Sequence, residues 1–579
     1  VEDRGQRSIV AYDERGNAIW TARQMAIIPT ASGLATAPGS GNYPDVTETA
    51  PFGADVTYDT AHRYEQSSEY DYANRGRRLL LPIGPDFGGA GIAGPEVRGE
   101  LRLDPRGLAI GASAYLDTEE IPVLSLVDYE VHGLAMVREY GPSGAPVLTE
   151  TFGYDNRLRP TSHMALRSST SGTSAGDIGY VTEVANELLT GDPASNLTGI
   201  VDDRDTTEWP VTHRTRHTTI THDSLYRVRG VSYQYRLGES STGMDASSDW
   251  RGEAAPSNTN DPMHPAPASL VGALPEDRVV DLDYAWDWLG NEVERLDDAW
   301  SFYERSLGTL TSGNDPDSGG GRPSALYLAT NIDGAGGVES TWDGAGWVEV
   351  QYGVSGNVSS FTVHGQCHDV SAGSCIDDTT DPIATRVASL RTSCSCAEEQ
   401  HYSFRWDELN RLVDGRRYDR NSTTSGAWVH GARLRYRYDA ANQRTVKEVL
   451  TGPTTGRRRP RFGGGGGWTT SERVTLFVYP GDFERRGLTR TSGSYQPITT
   501  DTDATETQYL VAGARIVWDS EADGLLPPID RNRRATINVT DLLGTTGAVV
   551  DLLSGDLVEV STYYPNGARE NLWTNDALV

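Results

Sequence analysis

The chain has 579 residues, with 51 basic against 81 acidic side chains and a formal charge of -30. That balance argues against nucleic acid as a partner, because phosphate contacts need a basic surface. Mean hydropathy is -0.49, and no run approaches the ~18 apolar residues of a helical span, which excludes one. A length of this size divides into several domains unless a repeat architecture carries a larger fold.

The first residues, Val1-Glu-Asp-Arg-Gly5, contain neither an initiator Met nor a charged and then apolar leader, so the chain is expected to be an internal or processed piece. From there one unit recurs. It occurs at Tyr12-Asp13, with Gly16-Asn17, at Tyr58-Asp59, at Tyr70-Asp71-Tyr72, at Leu103-Asp104, with Gly107, and at Tyr154-Asp155, with Arg157. His222-Asp223 is a weaker copy. Tryptophan then takes the aromatic place at Trp286-Asp287, with Gly290, at Trp342-Asp343, with Gly346, and at Trp406-Asp407, with Asn410; tyrosine returns at Tyr438-Asp439, with Asn442. Each unit predicts a corner between two strands. The aromatic residue ends a strand on its packed face, and the aspartate carboxylate accepts backbone N–H bonds two residues on. Gly or Asn then supplies positive φ.

Between corners the pattern alternates with a period of two. Arg433, Arg435 and Arg437 share one face, and Leu434, Tyr436 and Tyr438 the other. Helical patterns are confined to 297–307 and 384–390, one or two turns each. Stretches rich in Ser, Thr, Gly or Pro at about 167–177, 239–277, 311–322, 362–400 and 451–472 predict loops inserted between strands. The last patterned stretch, 535–570, predicts strand, turn, apolar strand, turn and a final strand at 557–564. Its corners are Asp541, with Gly544, and Asp551, with Gly555, and it is closed by Tyr564-Pro565-Asn566-Gly567. Residues 571–579 are expected to be a truncated end with no closing strand. Short strands with turn signals over hundreds of residues indicate an all-β repeat array.

The aromatic-Asp-x-x-Gly/Asn-x-Arg units resemble the YD repeats of the Rhs family, found in bacterial Rhs toxins and Tc-toxin shells and shared by the teneurins. The 535–570 stretch, through Asp541, Gly544, Asp551, Tyr564, Pro565 and Gly567, resembles the start of the Rhs-repeat-associated core. The resemblance implies a β-sheet wound as a spiral into a hollow cocoon, with repeats over 1–534 and the core-like segment closing one end. It also implies an exported, secreted or cell-surface bacterial protein. Its role would be a non-catalytic scaffold around a C-terminal toxic domain absent from this chain, partnered by that domain and a secretion or delivery apparatus. The family's self-cleavage segment would lie beyond residue 570. The rival reading is an extracellular recognition module that binds carbohydrate or protein through Trp209, Trp250, Trp300, Trp428 and Trp468, placed in or near loops.

No metal or cofactor is expected. Cys367, Cys375, Cys394 and Cys396 cluster with His364, His368 and His401, but C-x7-C-x18-C-x-C fits no common zinc spacing. Two disulfides, such as Cys367 with Cys396 and Cys375 with Cys394, suit an exported protein; free thiols and a metal site stay open. Asp202-Asp203-Arg204-Asp205, Asp315 with Asp317, and Asp501, Asp503 and Glu506 lack the calcium-loop pattern and are expected to be solvated turns. The glycine run 463–467 lacks the Lys-Ser/Thr of a phosphate loop and is expected to be a flexible loop. No nucleophile elbow or paired catalytic arrangement is present, so no enzymatic activity is expected.

Overall fold

The computed structural model describes residues 5–28, 56–82, 96–116, 118–170, 172–209, 216–235, 281–297, 308–313, 322–330, 347–368, 395–420, 428–451, 471–479, 481–491, 493–498, 505–520, 533–541, 544–563 and 569–574. They form one antiparallel sheet of 33 strands. Strands pair in chain order from Gln6–Tyr12 with Ala18–Met25 to Leu557–Tyr563 with Arg569–Thr574. One strand departs from that order. Phe483–Thr491 carries the short strand Ser494–Pro497 and also pairs with Thr505–Val511. The three-residue turn Ile178–Tyr180 is the helical element among the described residues.

The all-β expectation therefore holds, and the meander explains why. A chain of hairpins needs only local corners, each strand finding its partner a few residues away in sequence. For description the sheet divides into an early arc (5–209), a middle arc (216–420) and a late arc (428–574).

The core shows how the arcs relate. A single buried apolar cluster joins Met25, Tyr64, Leu81, Val97, Tyr140 and Leu148 of the early arc to Val446, Leu476, Phe483, Tyr509, Val550 and Leu557 of the late arc. Among the described residues, none of the middle arc belongs to it. Val231, Tyr233 and Leu282 form a separate small cluster there. The sheet thus returns on itself, and the late arc seats against the early arc.

Several expectations shift in detail. Residues 362–368 and 395–400, assigned to an inserted loop, belong to the strands Val358–His368 and Ser395–Trp406. Residues 239–277 and 384–390 lie outside the described residues. The 535–570 segment forms the strands Arg533–Thr540, Thr546–Asp551 and Leu557–Tyr563. The end expected to lack a closing strand contributes one, Arg569–Thr574. Tyr564, Pro565 and Gly567 lie outside the described residues.

Candidate functional site: the corner rail and the seam

The recurrent corner has one geometry. At Asp13 the backbone N–H donates to Asn17 O at 3.0 Å, and Gly16 N–H donates back to Asp13 O at 3.1 Å. Oδ1 accepts from the N–H groups of Arg15 and Asn17, both at 2.9 Å, and Oδ2 accepts from Asn17 Nδ2. The carboxylate so ties residues two and four places on. The same arrangement forms at Asp71, Asp155, Asp223, Asp287, Asp407 and Asp439. At Asp541 the N–H of Thr545 takes the fourth place.

The third place carries positive φ. Gly16, Asn74, Gly290, Asn410 and Asn442 meet that need as expected, but Leu158, Ser195 and Tyr226 also adopt it, at φ 64°, 76° and 63°. There the carboxylate cage holds a residue that would otherwise avoid this region. The cage carbonyls and N–H groups also form without aspartate at Glu130 and Gly353. Tyr58-Asp59, by contrast, closes no hairpin. Tyr58 makes an isolated bridge with Ala26, and Asp59 is buried.

The aromatic residue does more than fill space. Tyr70, Tyr129, Tyr154, Tyr352 and Tyr438 donate their hydroxyls to the carbonyls of Ala18, Ala109, Ala135, Leu326 and Leu412 at 2.7–3.0 Å. Trp286 and Trp406 donate Nε1–H to Val228 O and Val358 O at 2.7 Å. Each acceptor opens the second strand of the preceding hairpin. Tyrosine and tryptophan interchange because both carry a donor at the far end of a flat apolar body.

The fourth place links forward. Arg75 binds Asp71 Oδ2 through Nε at 2.8 Å and donates Nη1 to Asp104 O, at the next corner, at 3.0 Å. Arg159 reaches Asp192 O, Arg227 reaches Asp287 O and Arg411 reaches Asp439 O in the same way. Asn291 and Asn357 make shorter links to Pro323 O and Asn410 Oδ1. The arginine follows the Gly/Asn position directly, one place earlier than the x-Arg spacing of the expected unit. The guanidinium suits the task because it serves a carboxylate and a carbonyl at once. The Arg75 hydrogen bond holds the Asp71 carboxyl at about 2. The Asn17 amide lowers Asp13, and the Arg159 backbone N–H lowers Asp155.

The seam is the second element. Gln6 Nε2 donates to Asp439 Oδ2 at 3.3 Å, and Arg23 Nη1 to Val478 O at 2.8 Å. Tyr479 hydroxyl donates to Thr21 O at 2.9 Å and lies 3.1 Å from Tyr64 O. Phe483 packs between Tyr64 and Tyr509, ring centres 5.8 and 5.2 Å away. Arg485, 1% exposed, donates Nη1 to the Tyr64 hydroxyl at 3.0 Å. Asp59 receives Tyr495 N–H at 3.0 Å and meets His62 Nδ1 at 2.8 Å, while Tyr495 hydroxyl donates to Ala26 O. Farther along, Arg167 donates Nη1 to Gly555 O at 3.0 Å, and burial lowers its guanidinium to about 10. Close backbone approach explains one glycine: a Cβ on Gly5 would lie 2.5 Å from Thr445 Oγ1 and 2.6 Å from the Tyr438 carbonyl. Apart from Asp59–His62 and Phe483–Tyr509, these contacts join residues more than 380 positions apart in sequence and carry no local signal.

The arginine face of Trp428–Tyr438 is a ladder of ion pairs, fully buried at Arg433. Arg433 binds Asp414 Oδ2 at 2.5 Å, and Arg435 binds Glu448. Elsewhere the expected sites resolve individually. Cys367 and Cys396 are register partners across neighbouring strands; Cys375 and Cys394 lie outside the described residues. His364 stacks on Trp347 at 3.8 Å, and His401 Nδ1 pairs with Thr362 Oγ1, burial holding its imidazole at about 4. Among the described residues no group of three or more His, Cys, Asp or Glu side chains is arranged to hold a metal ion. Asp202, expected in a solvated turn, is buried and paired at 2.5 Å with Arg204, whose guanidinium lies over the Trp209 ring. Trp209 itself is 2% exposed and donates Nε1–H to Glu183 O, so it packs and offers no binding platform. Trp428 opens a strand. Trp250, Trp300, Trp468, Trp342, Asp343, Asp315, Asp317, Asp501, Asp503 and the glycine run lie outside the described residues. Among the described residues no helix is long and apolar enough to cross a membrane.

No protein-family model matches the chain, and no curated protein does. Its fold is similar to crystal structures of TcdB2-TccC3-TEV (TM-score 0.55, 13% identity), TcdB2-TccC3-Cdc42 (0.55, 14%) and TcdB2-TccC3 (0.54, 14%). Each match covers 99% of this chain and 21% of the other. The chain thus spans about a fifth of the length of the structures it matches, and at this identity the likeness is one of fold.

Proposed function

We propose that the chain is part of the wall of a hollow shell that encloses a toxic polypeptide, in an exported bacterial protein of the Rhs/YD-repeat kind. The seam carries this reading. A sheet that returns to seat its corners on its own earlier arc, with Phe483, Tyr64 and Arg485 fully buried between them, makes a closed wall and not a row of separate sandwiches. Closure also removes a strand-rich edge that would recruit other chains. The likeness to TcdB2-TccC3 supports the same reading at the level of fold. The wall acts by containment and performs no catalysis. Its partners are the enclosed polypeptide and the apparatus that delivers the protein.

Small-angle scattering and single-particle imaging of the longer natural polypeptide test this. The expected result is a low-density interior and a pair-distance maximum displaced to long distances, with the enclosed segment resistant to added protease. A solid globule, a string of compact beads, or a segment cleaved as fast as a free peptide would sink the proposal.

A further inference from the structure

The late arc carries a charged side turned away from the seam. Its strands alternate with a period of two, and the seam side is sealed: Val446, Leu476, Arg485, Thr507, Ile516 and Ala535 are at most 1% exposed. The intervening positions face the other way. Cross-strand register carries this outer side from Tyr436 to Lys447 to Thr475, and from Phe477 through Glu484, Gln508 and Val517 to Arg534. Arg444, Lys447, Arg486, Arg515 and Arg534 stand on it, with Glu484 and Glu506 as the carboxylates among them. In a chain of formal charge -30 this strip is therefore locally positive.

The cations are neighbours. Arg444 lies over the Tyr436 and Phe477 rings, 5.5 and 4.6 Å from their centres. Arg486 binds Glu484 at 3.0 Å, and Arg515 donates to Gln508 Oε1 at 3.0 Å. Burial, then Arg444 and Arg486, lowers the pKa of Lys447; burial, then Arg486, lowers that of Arg515. Lys447 is the one lysine of the chain, and among the described residues its ammonium has no hydrogen-bond or ion-pair partner. Arginines of the early arc are answered by carboxylates, as Arg78 is by Glu69 and Glu100. A half-buried ammonium beside two guanidinium groups is repelled by its surroundings, and a partner that brings carboxylates relieves that repulsion.

The other side chains of the strip select the class of partner. A polyanion charged at every unit would meet Glu484 and Glu506 as well as the cations. A peptide can set acidic side chains against Lys447 and Arg486 and apolar ones against Tyr436 and Phe477, leaving the two glutamates uncontested. The strip crosses six adjoining strands, from Arg444–Thr451 to Arg533–Thr540. That is about 24 Å at ~4.8 Å per strand, the span of about seven extended residues.

We infer that the outer strip of the late arc is a docking surface for an acidic peptide segment of a partner polypeptide, one that intersperses carboxylates with apolar side chains. The inference goes beyond the wall reading, which needs no charge on this side.

The test is fluorescence anisotropy with the 579-residue chain and a labelled decapeptide alternating Glu with Val. The expected result is saturable binding that weakens roughly tenfold as salt rises from about 0.1 to about 1 M, where screening shortens from ~10 to ~3 Å. The same peptide with Gln for Glu is expected not to bind. Lys447→Gln with Arg486→Gln is expected to lower affinity roughly tenfold, the scale of two exposed ion pairs, whereas Lys447→Arg keeps the charge and the affinity. A second measurement needs no variant: a water-soluble carbodiimide, taking up the water released, joins a peptide carboxylate to the Lys447 amine as an amide, and the adduct is expected at that residue. No binding, equal binding of the Gln peptide, no adduct at Lys447, or tighter binding of heparin than of the Glu peptide would each overturn the inference, the last by assigning the strip to an acidic polysaccharide. The wall reading is untouched by any of these outcomes.

Discussion

The early and middle arcs are made from the same corner, yet they are held differently. In the early arc each hairpin is tied to its neighbours and also to the late arc, through a cluster that includes Tyr64, Val97 and Leu148. In the middle arc the corner links at Arg227 and Arg411 are just as complete, but packing is local, as in Val231, Tyr233 and Leu282. Nearest-neighbour cohesion alone makes a repeat array that opens unit by unit, whereas a seam couples distant units into one cooperative block.

That contrast can be broken most forcefully at Phe483. Replacing Phe483 with Ala is expected to cost about 3–5 kcal/mol, against about 2 kcal/mol for Val231→Ala in the middle arc. Denaturant midpoints measure both. Amide exchange should show F483A loosening strands of both early and late arcs while V231A loosens only its neighbours; equal and local effects would dissolve the distinction.

Acid should act first on the middle arc. His401 has a folded pKa of about 4 set by burial, below its unfolded value of about 6.5. Its contribution is therefore fully present above pH 6.5 and is lost as pH falls from 6.5 to 4, because only the unfolded chain takes the proton in that window. The loss is at most about 3 kcal/mol. His401→Gln should flatten the stability profile across that range, and a profile of unchanged slope would refute the assignment.

The corners should be indifferent to the contrast. Tyr154→Phe in the early arc and Tyr352→Phe in the middle arc each remove one hydroxyl donor and are expected to cost about 1 kcal/mol alike; a consistent excess in one arc would show that the rail and the seam are coupled. The smallest effect is expected at Asp71. Its folded pKa, about 2, lies below the ordinary carboxylate value because Arg75 hydrogen-bonds it. Its stabilisation is present above about pH 4 and is lost as pH falls toward 2. Asp71→Asn should thus lower stability slightly above pH 4 and flatten the fall between pH 4 and 2, as followed by circular dichroism.

The corners were legible in the sequence because their physics is local. Asp13 with Gly16 and Asp439 with Asn442 announce a carboxylate cage and a positive φ within four residues. The backward donor was half legible: Tyr and Trp alternated at one position, and the property they share against Phe is a terminal N–H or O–H. Corners without aspartate, at Glu130 and Gly353, were hidden because the backbone bonds persist when the carboxylate is replaced. The seam could not be read at all. Asp59 looked like one more corner, and its partner Tyr495 lies 436 positions away. Nothing in periodicity distinguishes an arginine that faces water from Arg433, which is buried beside Asp414.

The seam also counts. Gln6 meets Asp439, Tyr64 meets Arg485, Gly99 meets Val511 and Arg167 meets Gly555, always in the same order along the chain. Adding or removing one hairpin anywhere in the middle arc would slide every one of these pairs by two strands at once, whereas lengthening a connection between strands would move none of them. The seam thus fixes the number of strands between its paired partners and leaves the length of the connections between strands unconstrained.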